Sequence, residues 1–175
     1  FNAAELAQRK EQRFREQLIE SVAGVFFVMN QEGQLLQWNR RLEEISGYSA
    51  AEISTRSALD FFEGADQLLI SQRLREALET GEAQAEAALL TKDGRRMPYL
   101  FVSRLIELDT EPMIIGTGID ISDRIRSEQE LERYRQHLEE LVDMRTLELN
   151  ALNVRLSRED LRLRYVALTR PRHAL

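Results

Sequence analysis

The stretch Gly116-Thr117-Gly118-Ile119-Asp120-Ile121-Ser122-Asp123-Arg124-Ile125-Arg126 marks the place where the hydrophobic period of the chain changes. Before it, Met113, Ile114 and Ile115 form an apolar run of strand length. After it, apolar residues return every three or four positions, the spacing of one helix face. Ser122 is the expected N-cap, its hydroxyl accepting from first-turn N–H groups, and Asp123 places negative charge at the positive end of the helix dipole. A last strand over residues 113–121 is therefore expected to pass directly into a long helix. The two glycines are too closely spaced for a phosphate-binding loop and read as features of the sheet.

Composition bounds what surrounds this junction. The chain has 175 residues, enough for one domain plus an extension, and 43% hydrophobic residues, enough for a core. It contains no cysteine, which removes disulfides, thiolate metal sites, cysteine nucleophiles and thioether-linked chromophores together. The net charge of −6 comes from interspersed acidic and basic residues, which argues against a nucleic-acid-binding surface. No apolar run is long enough to span a bilayer and no signal peptide is visible, so a soluble, cytoplasmic chain without membrane contact is expected. The first residue is Phe1 rather than Met, and a part of a longer protein is expected.

Residues 1–21 read as a flanking helix with a thin apolar stripe through Leu6, Phe14, Leu18 and Ile19, broken by Gly24. Val25–Met29 and Gln34–Trp38 are short strands around a Gly33 turn. Helix formers run from Asn39 to Ile45, and Ser49 with Glu52 is a capping-box signature for a second short helix. Turns through Leu59, Phe61 and Phe62 precede a clearer helix over Ala65–Glu79 that stops at Gly81. Strands over 83–91 and 97–107 flank Lys92-Asp93-Gly94-Arg95, where Asp-Gly suits a type I′ hairpin turn. Helices set between hairpin-connected strands give an α+β fold, a five-stranded antiparallel sheet covered on one face by short helices.

That order, with Gly24-Val25-Phe26-Phe27-Val28-Met29, Gln37-Trp38-Asn39, Gly47-Tyr48-Ser49-Ala50-Ala51-Glu52-Ile53, residues 90–99 and Gly118-Ile119-Asp120-Ile121-Ser122, resembles the PAS sensor domain. Asp120-Ile121-Ser122 is similar to the Asp-Ile-Thr motif that closes the last PAS strand and opens the output helix. The resemblance implies a PAS domain over 22–122 and a transmission role for Asn39, Asp120, Ile121 and Ser122. Asn39 is in addition placed to bond backbone groups that would otherwise be orphaned where the second strand ends.

Within the family, haem is usually held by a histidine on the longest internal helix, and Ala65–Glu79 has none. His137 and His173 lie in the C-terminal extension and read as helix-surface residues. A covalently attached flavin needs a cysteine that the chain lacks. A non-covalent flavin bordered by Trp38 and the Phe61-Phe62 pair, or another small apolar ligand, stays open beside plain core packing of those aromatics. Under a sensing reading the pocket candidates are Phe27, Met29, Trp38, Phe61, Leu74, Leu89, Phe101 and Met113. Asp60 with Glu63, and Asp109 with Glu111, have no nucleophile, metal cluster or phosphate loop near them in sequence, so no enzymatic activity of this chain is expected.

From Ser127 a seam runs through Leu131, Tyr134, Leu138, Leu141, Arg145, Leu149, Leu152 and Leu156, and a signalling coiled coil is expected over 123–156. Two steps of four in succession insert a stutter at Arg145, a cation in an apolar stripe suited to fixing register or switching between packings. Residues 138–146 resemble the signalling helix that joins sensors to catalytic output domains, with Met144 where Glu is usual. Residues 157–175 read as the start of a linker to an output domain outside this sequence, and 167–175 resemble a shortened opening of a diguanylate cyclase domain more than a histidine kinase. A helix over 127–156 would run roughly 45 Å and could not bury its narrow stripe alone, so a parallel homodimer through the coil and the first helix is expected.

Overall fold

The computed structural model describes residues 2–170; His173 and the end of the 167–175 stretch lie outside the described residues. The element order is α1 (Ala3–Glu20), β1 (Val25–Met29), β2 (Leu35–Trp38), α2 (Arg40–Ser46), α3 (Ala50–Ser54), a 3-10 turn (Ala58–Phe61), α4 (Gly64–Thr80), β3 (Glu82–Leu90), β4 (Arg96–Leu108), β5 (Glu111–Asp120) and α5 (Ser122–Thr169). The described residues form two units that meet between Arg124 and Ile125. Among the described residues no helix is long and apolar enough to cross a membrane.

The first unit holds the sheet, five antiparallel strands in the order β2-β1-β5-β4-β3. Alternation decides which residues enter the core. Register places Phe27 opposite Gly116, Phe101 opposite Gly118 and Ala85 opposite Phe101. The inner face, with Val25, Phe27, Met29, Leu89, Tyr99, Phe101 and Ile114, packs against Leu42, Ile53, Phe61, Phe62, Ile70 and Ala77 of the helical block. Each large side chain buried there is worth about 1.5–3 kcal/mol.

Local chemistry explains the element ends. Ser49 Oγ accepts from Glu52 N–H at 3.3 Å while Glu52 accepts from Ser49 N–H at 2.9 Å, so the capping box read in the sequence opens α3. Lys92 Nζ lies 2.7 Å from Glu52, and with the Ser49 bond it holds that carboxyl down at about 2. Arg96 reaches Glu63 at 3.1 Å and Asp66 at 2.9 Å, and Asp66 also accepts from Ala88 N–H at 3.2 Å, which fixes the start of α4 over β3 and β4.

Two sequence readings are corrected. The 92–95 hairpin is not a type I′ turn, which needs positive φ at both central residues. Only Gly94 has it there (φ 85°), and Gly94 N–H donates to Thr91 C=O at 2.9 Å. This is a three-residue loop with a glycine bulge, held by Thr91 Oγ1, which accepts from Arg95 N–H at 3.0 Å. The two-residue geometry with positive φ instead falls at Asp109 (51°) and Thr110 (72°), between the paired Leu108 and Glu111. Ser122 is likewise the first helical residue of α5 and not its cap, because Asp120 Oδ1 accepts from Ser122 N–H at 2.8 Å. A carboxylate two residues upstream supplies both an acceptor and the charge that the helix N-terminus favours.

In the second unit, α5 continues as one helix whose seam residues are exposed, among them Leu131, Tyr134, Leu138, Leu149 and Leu156. Arg145 is exposed too and pairs with Glu148 at 3.5 Å.

Candidate functional site: a cavity in the core of the sheet domain

Four alternate positions of β3, Ala83, Ala85, Ala87 and Leu89, face inward, and three of them are alanine. Small residues on this strand leave room that aromatic rings from elsewhere only partly fill. The result is a cavity of about 60 Å³ between the inner face of the sheet and the helices. Phe27, Met29, Phe61, Leu74, Leu89 and Phe101, all expected from sequence, line it.

Trp38 and Met113 do not. Trp38 pairs with Phe27 and so shares the inner side by register, but it ends an edge strand, and its indole N–H donates to Glu43 at 3.0 Å. An indole N–H needs an acceptor when half-buried, and this one draws the ring to α2 at the rim of the core. Met113 pairs with Ile106, one residue out of phase with Ile114, which is 1% exposed; alternation puts Met113 on the outer face. Phe62, named in the sequence with Phe61 as a possible ring border, lines the cavity too, while Ala83, Ala85 and Arg73 were missed. The alternation Glu-Ala-Gln-Ala-Glu-Ala over 82–87 was a usable sign of small inward residues, whereas nothing local marked Arg73.

Phe101 is the hub of the wall. Its ring centroid lies 5.4 Å from Phe62 at 82°, 6.4 Å from Phe27, and 5.8 Å from Tyr99 in a stacked pair at 25°. These rings lie over glycine: a Cβ at Gly116 would fall 2.3 Å from Phe27 Cζ, and one at Gly118 would fall 2.7 Å from Phe101 Cε1. Gly116 and Gly118 are thus close-approach positions of the sheet, as read. Tyr99, 1% exposed, sits directly across from Asp120. Burial, with the Asp120 carboxylate second, pushes the Tyr99 phenol up to about 12. Ile121 is buried beyond it and its N–H donates to Pro98 C=O at 3.0 Å, while Arg124 meets Glu86 on β3 at 2.8 Å.

Asn39 holds the opposite edge. β2 ends at Trp38 while β1 continues, so backbone groups of Gly24 and Phe26 lack a partner strand. Asn39 replaces it: Oδ1 accepts from Phe26 N–H at 3.0 Å, Nδ2 donates to Gly24 C=O at 2.9 Å, and its own N–H donates to Phe26 C=O at 3.2 Å. Gly24 in turn abuts Gly118, two residues before Asp120.

A sheet in this order, with helices on one face, a cavity in its core and a long helix after its last strand, can be compared with known proteins. A family profile described as PAS domain matches residues 22–123, more than half of the chain. The chain belongs to the PAS domain family. Solved PAS structures share the fold. The PAS domain of an HTR-like protein from Haloarcula marismortui aligns with TM-score 0.61 and 20% identity, over 67% of this chain and 98% of that one. A PAS domain from a two-component sensor histidine kinase aligns with TM-score 0.56 and 15% identity, over 65% and 98%. A domain of a sensory box sensor histidine kinase/response regulator from Geobacter sulfurreducens aligns with TM-score 0.53 and 21% identity, over 63% and 94%. No curated protein matches the sequence.

The cavity bears on the cofactor. Small-molecule sites commonly occupy about 300–1,000 Å³. A space of about 60 Å³ does not hold a flavin ring system, and Trp38, expected to border one, stands outside it.

Proposed function

We propose that this PAS domain is a cytoplasmic sensory and dimerisation module that passes a conformational change through α5, paired as a parallel coiled coil, to a downstream output domain. The observation that carries the reading is the short physical path from cavity to helix. Phe101 lines the cavity, Tyr99 stacks on Phe101, and Tyr99 is the cross-strand partner of Asp120, whose carboxylate caps α5. An occupant that moves the Phe101 ring must also move the ring stacked on it, and that ring abuts the cap. Ligand binding then favours one arrangement of sheet and helix start, a population shift that α5 carries onward.

Association is supported by the exposed seam of α5 and by Phe14 and Leu18 on α1, which are 62% and 52% exposed. An unpaired helix leaves such a stripe in water, and two-fold pairing is the commonest remedy. The resemblance over 138–146 favours a catalytic output domain, and that over 167–175 favours the diguanylate cyclase type over the histidine kinase type. In the test, light scattering reports a dimer that truncation after Arg126 weakens strongly. The chain has no cysteine, so Leu149→Cys carries a unique spin label. Same-residue labels lie close in a parallel coil, and a monomer at micromolar concentration or an antiparallel pairing refutes the mechanism.

A second reading, a ligand-free PAS scaffold that only pairs subunits, is favoured by the small volume of the cavity. Native mass spectrometry separates the two: a co-purifying small molecule supports sensing.

A further inference from the structure

Beyond Val142 the apolar residues of α5 do not gather on one face. Two rows repeat there every seven residues: Val142, Leu149, Leu156 and Leu163, and Leu147, Val154, Leu161 and Leu168. All are more than half exposed. The rows are offset by two residues, about 200° around a helix, so they lie on opposite sides of it. The first row continues the seam that begins at Leu131. The second has no such history, because its heptad positions upstream hold Arg126, Glu130, Arg133, His137 and Glu140.

With Met144, Ala151, Arg158 and Tyr165, the second row steps by three and four in strict alternation from 144 to 168. It is a heptad seam with one charged member. Polar residues part it from the first face, Glu148, Arg155 and Arg162 along one edge and Asp143, Asn150, Ser157 and Arg164 along the other. A two-stranded coil buries one face of each helix, and a second seam of this length is left in water unless something covers it.

The flanking charges select the occupant and its direction. A parallel copy on this face would set Asp143 against Glu148, like charges on both sides of the pair, and Asn150 and Ser157 against arginines, with no opposite charges to offset them. In an antiparallel copy Met144 meets Leu168, Leu147 meets Tyr165 and Ala151 meets Leu161. Glu148 then faces Arg162 twice, against one meeting of Arg155 with itself on the two-fold axis. Arg158 falls opposite Val154, a charge in an apolar layer that fixes register at a cost in stability. Resting on the parallel pairing of α5 proposed above, we infer that the face through Leu147, Val154, Leu161 and Leu168 docks a second such coil in the antiparallel sense, making a dimer of dimers.

Sedimentation equilibrium of the full chain, from low to high micromolar concentration, should show dimers passing into tetramers. Leu161→Glu, which charges the second face alone, should leave a dimer throughout. Glu148→Arg should weaken the tetramer at least tenfold, and Arg162→Glu added to it should restore the tetramer, because only antiparallel copies bring these two positions together. The chain has no cysteine, so Ala151→Cys with Leu161→Cys gives a direct probe: the oxidised double variant should cross-link and neither single variant should. Circular dichroism of each variant checks that it is folded. Labels at Leu149 stay close within each parallel coil, so the test of the sensory reading is unaffected. A wild-type dimer at every concentration, a tetramer that Leu161→Glu leaves intact, a Glu148→Arg loss that Arg162→Glu does not repair, or cross-linking by Ala151→Cys alone overturns the inference and leaves the parallel dimer standing. A wild-type monomer at every concentration overturns both.

Discussion

Replacing Asn39 by alanine isolates one interaction that joins strand pairing to the neighbourhood of the start of α5. The substitution removes the acceptor for Phe26 N–H and the donor to Gly24 C=O, at a position 1% exposed. Phe26 N–H is enclosed, so leaving it unpaired costs about 1–3 kcal/mol. Gly24 is half-exposed and water partly replaces the amide there, which brings that loss to about 1 kcal/mol. The sum is roughly 3 kcal/mol, and at about 4–8 °C per kcal/mol for a domain of this size it lowers Tm by roughly 12–24 °C. Trp38 is the single tryptophan and adjoins the site, so its fluorescence in urea follows the unit that contains the sheet, independently of the remainder of α5. Asn39→Asp provides an internal control. It keeps the acceptor for Phe26 and sets an oxygen against the Gly24 carbonyl, so its loss of stability should grow as pH rises and that carboxyl ionises. A loss below about 1 kcal/mol for Asn39→Ala would show that the bonds to Phe26 and Gly24 do not carry this edge of the sheet.

Further outcomes follow from single contacts. Gly118→Ala sets a methyl group against the Phe101 ring and should destabilise the domain by about 1–3 kcal/mol, with partial rescue by Phe101→Leu; a neutral effect in urea denaturation contradicts the close approach. Tyr99→Phe should remove a loss of stability between pH 10 and about 12: a raised phenol pKa stabilises below the unfolded value, and that contribution, about 3 kcal/mol at most, disappears as pH rises through the folded one. Glu52→Gln should remove an acid-side loss between pH 4.5 and about 2, because a depressed carboxyl stabilises above its unfolded pKa and the contribution vanishes as pH falls; acid denaturation of both forms compares them. Arg145→Leu should lock the coil in one packing and alter ligand affinity through linkage, and equal affinities with and without it count against the coupling.

What could be read from the residues alone was what depends on neighbours in sequence. The short apolar runs of Val25–Met29 and Met113–Ile115, the period near 3.6 after Ser122, the Ser49/Glu52 box and the glycine stops at Gly47 and Gly81 act over a few residues, and they settle the order of elements. Asn39 was legible for the same reason, since a strand that stops beside one that continues leaves backbone groups for the next polar side chain to take. Turn type was less so: Asp93-Gly94 carries a type I′ signal, yet the contacts of Thr91 with Arg95 select the bulged loop. The cap of α5 went to Asp120 because strand β5 holds its carboxylate beside the Ser122 N–H. The cavity could not be read locally at all. It is a difference between volumes supplied by several elements far apart in the chain, the small alanines of β3, the rings of Phe62 and Phe101, and Gly116 and Gly118, which let rings approach the sheet. Only their packing decides that Trp38 swings to the rim, that Met113 turns outward, and that Arg73 reaches the cavity wall with a buried Nε–H that has no acceptor among the described residues.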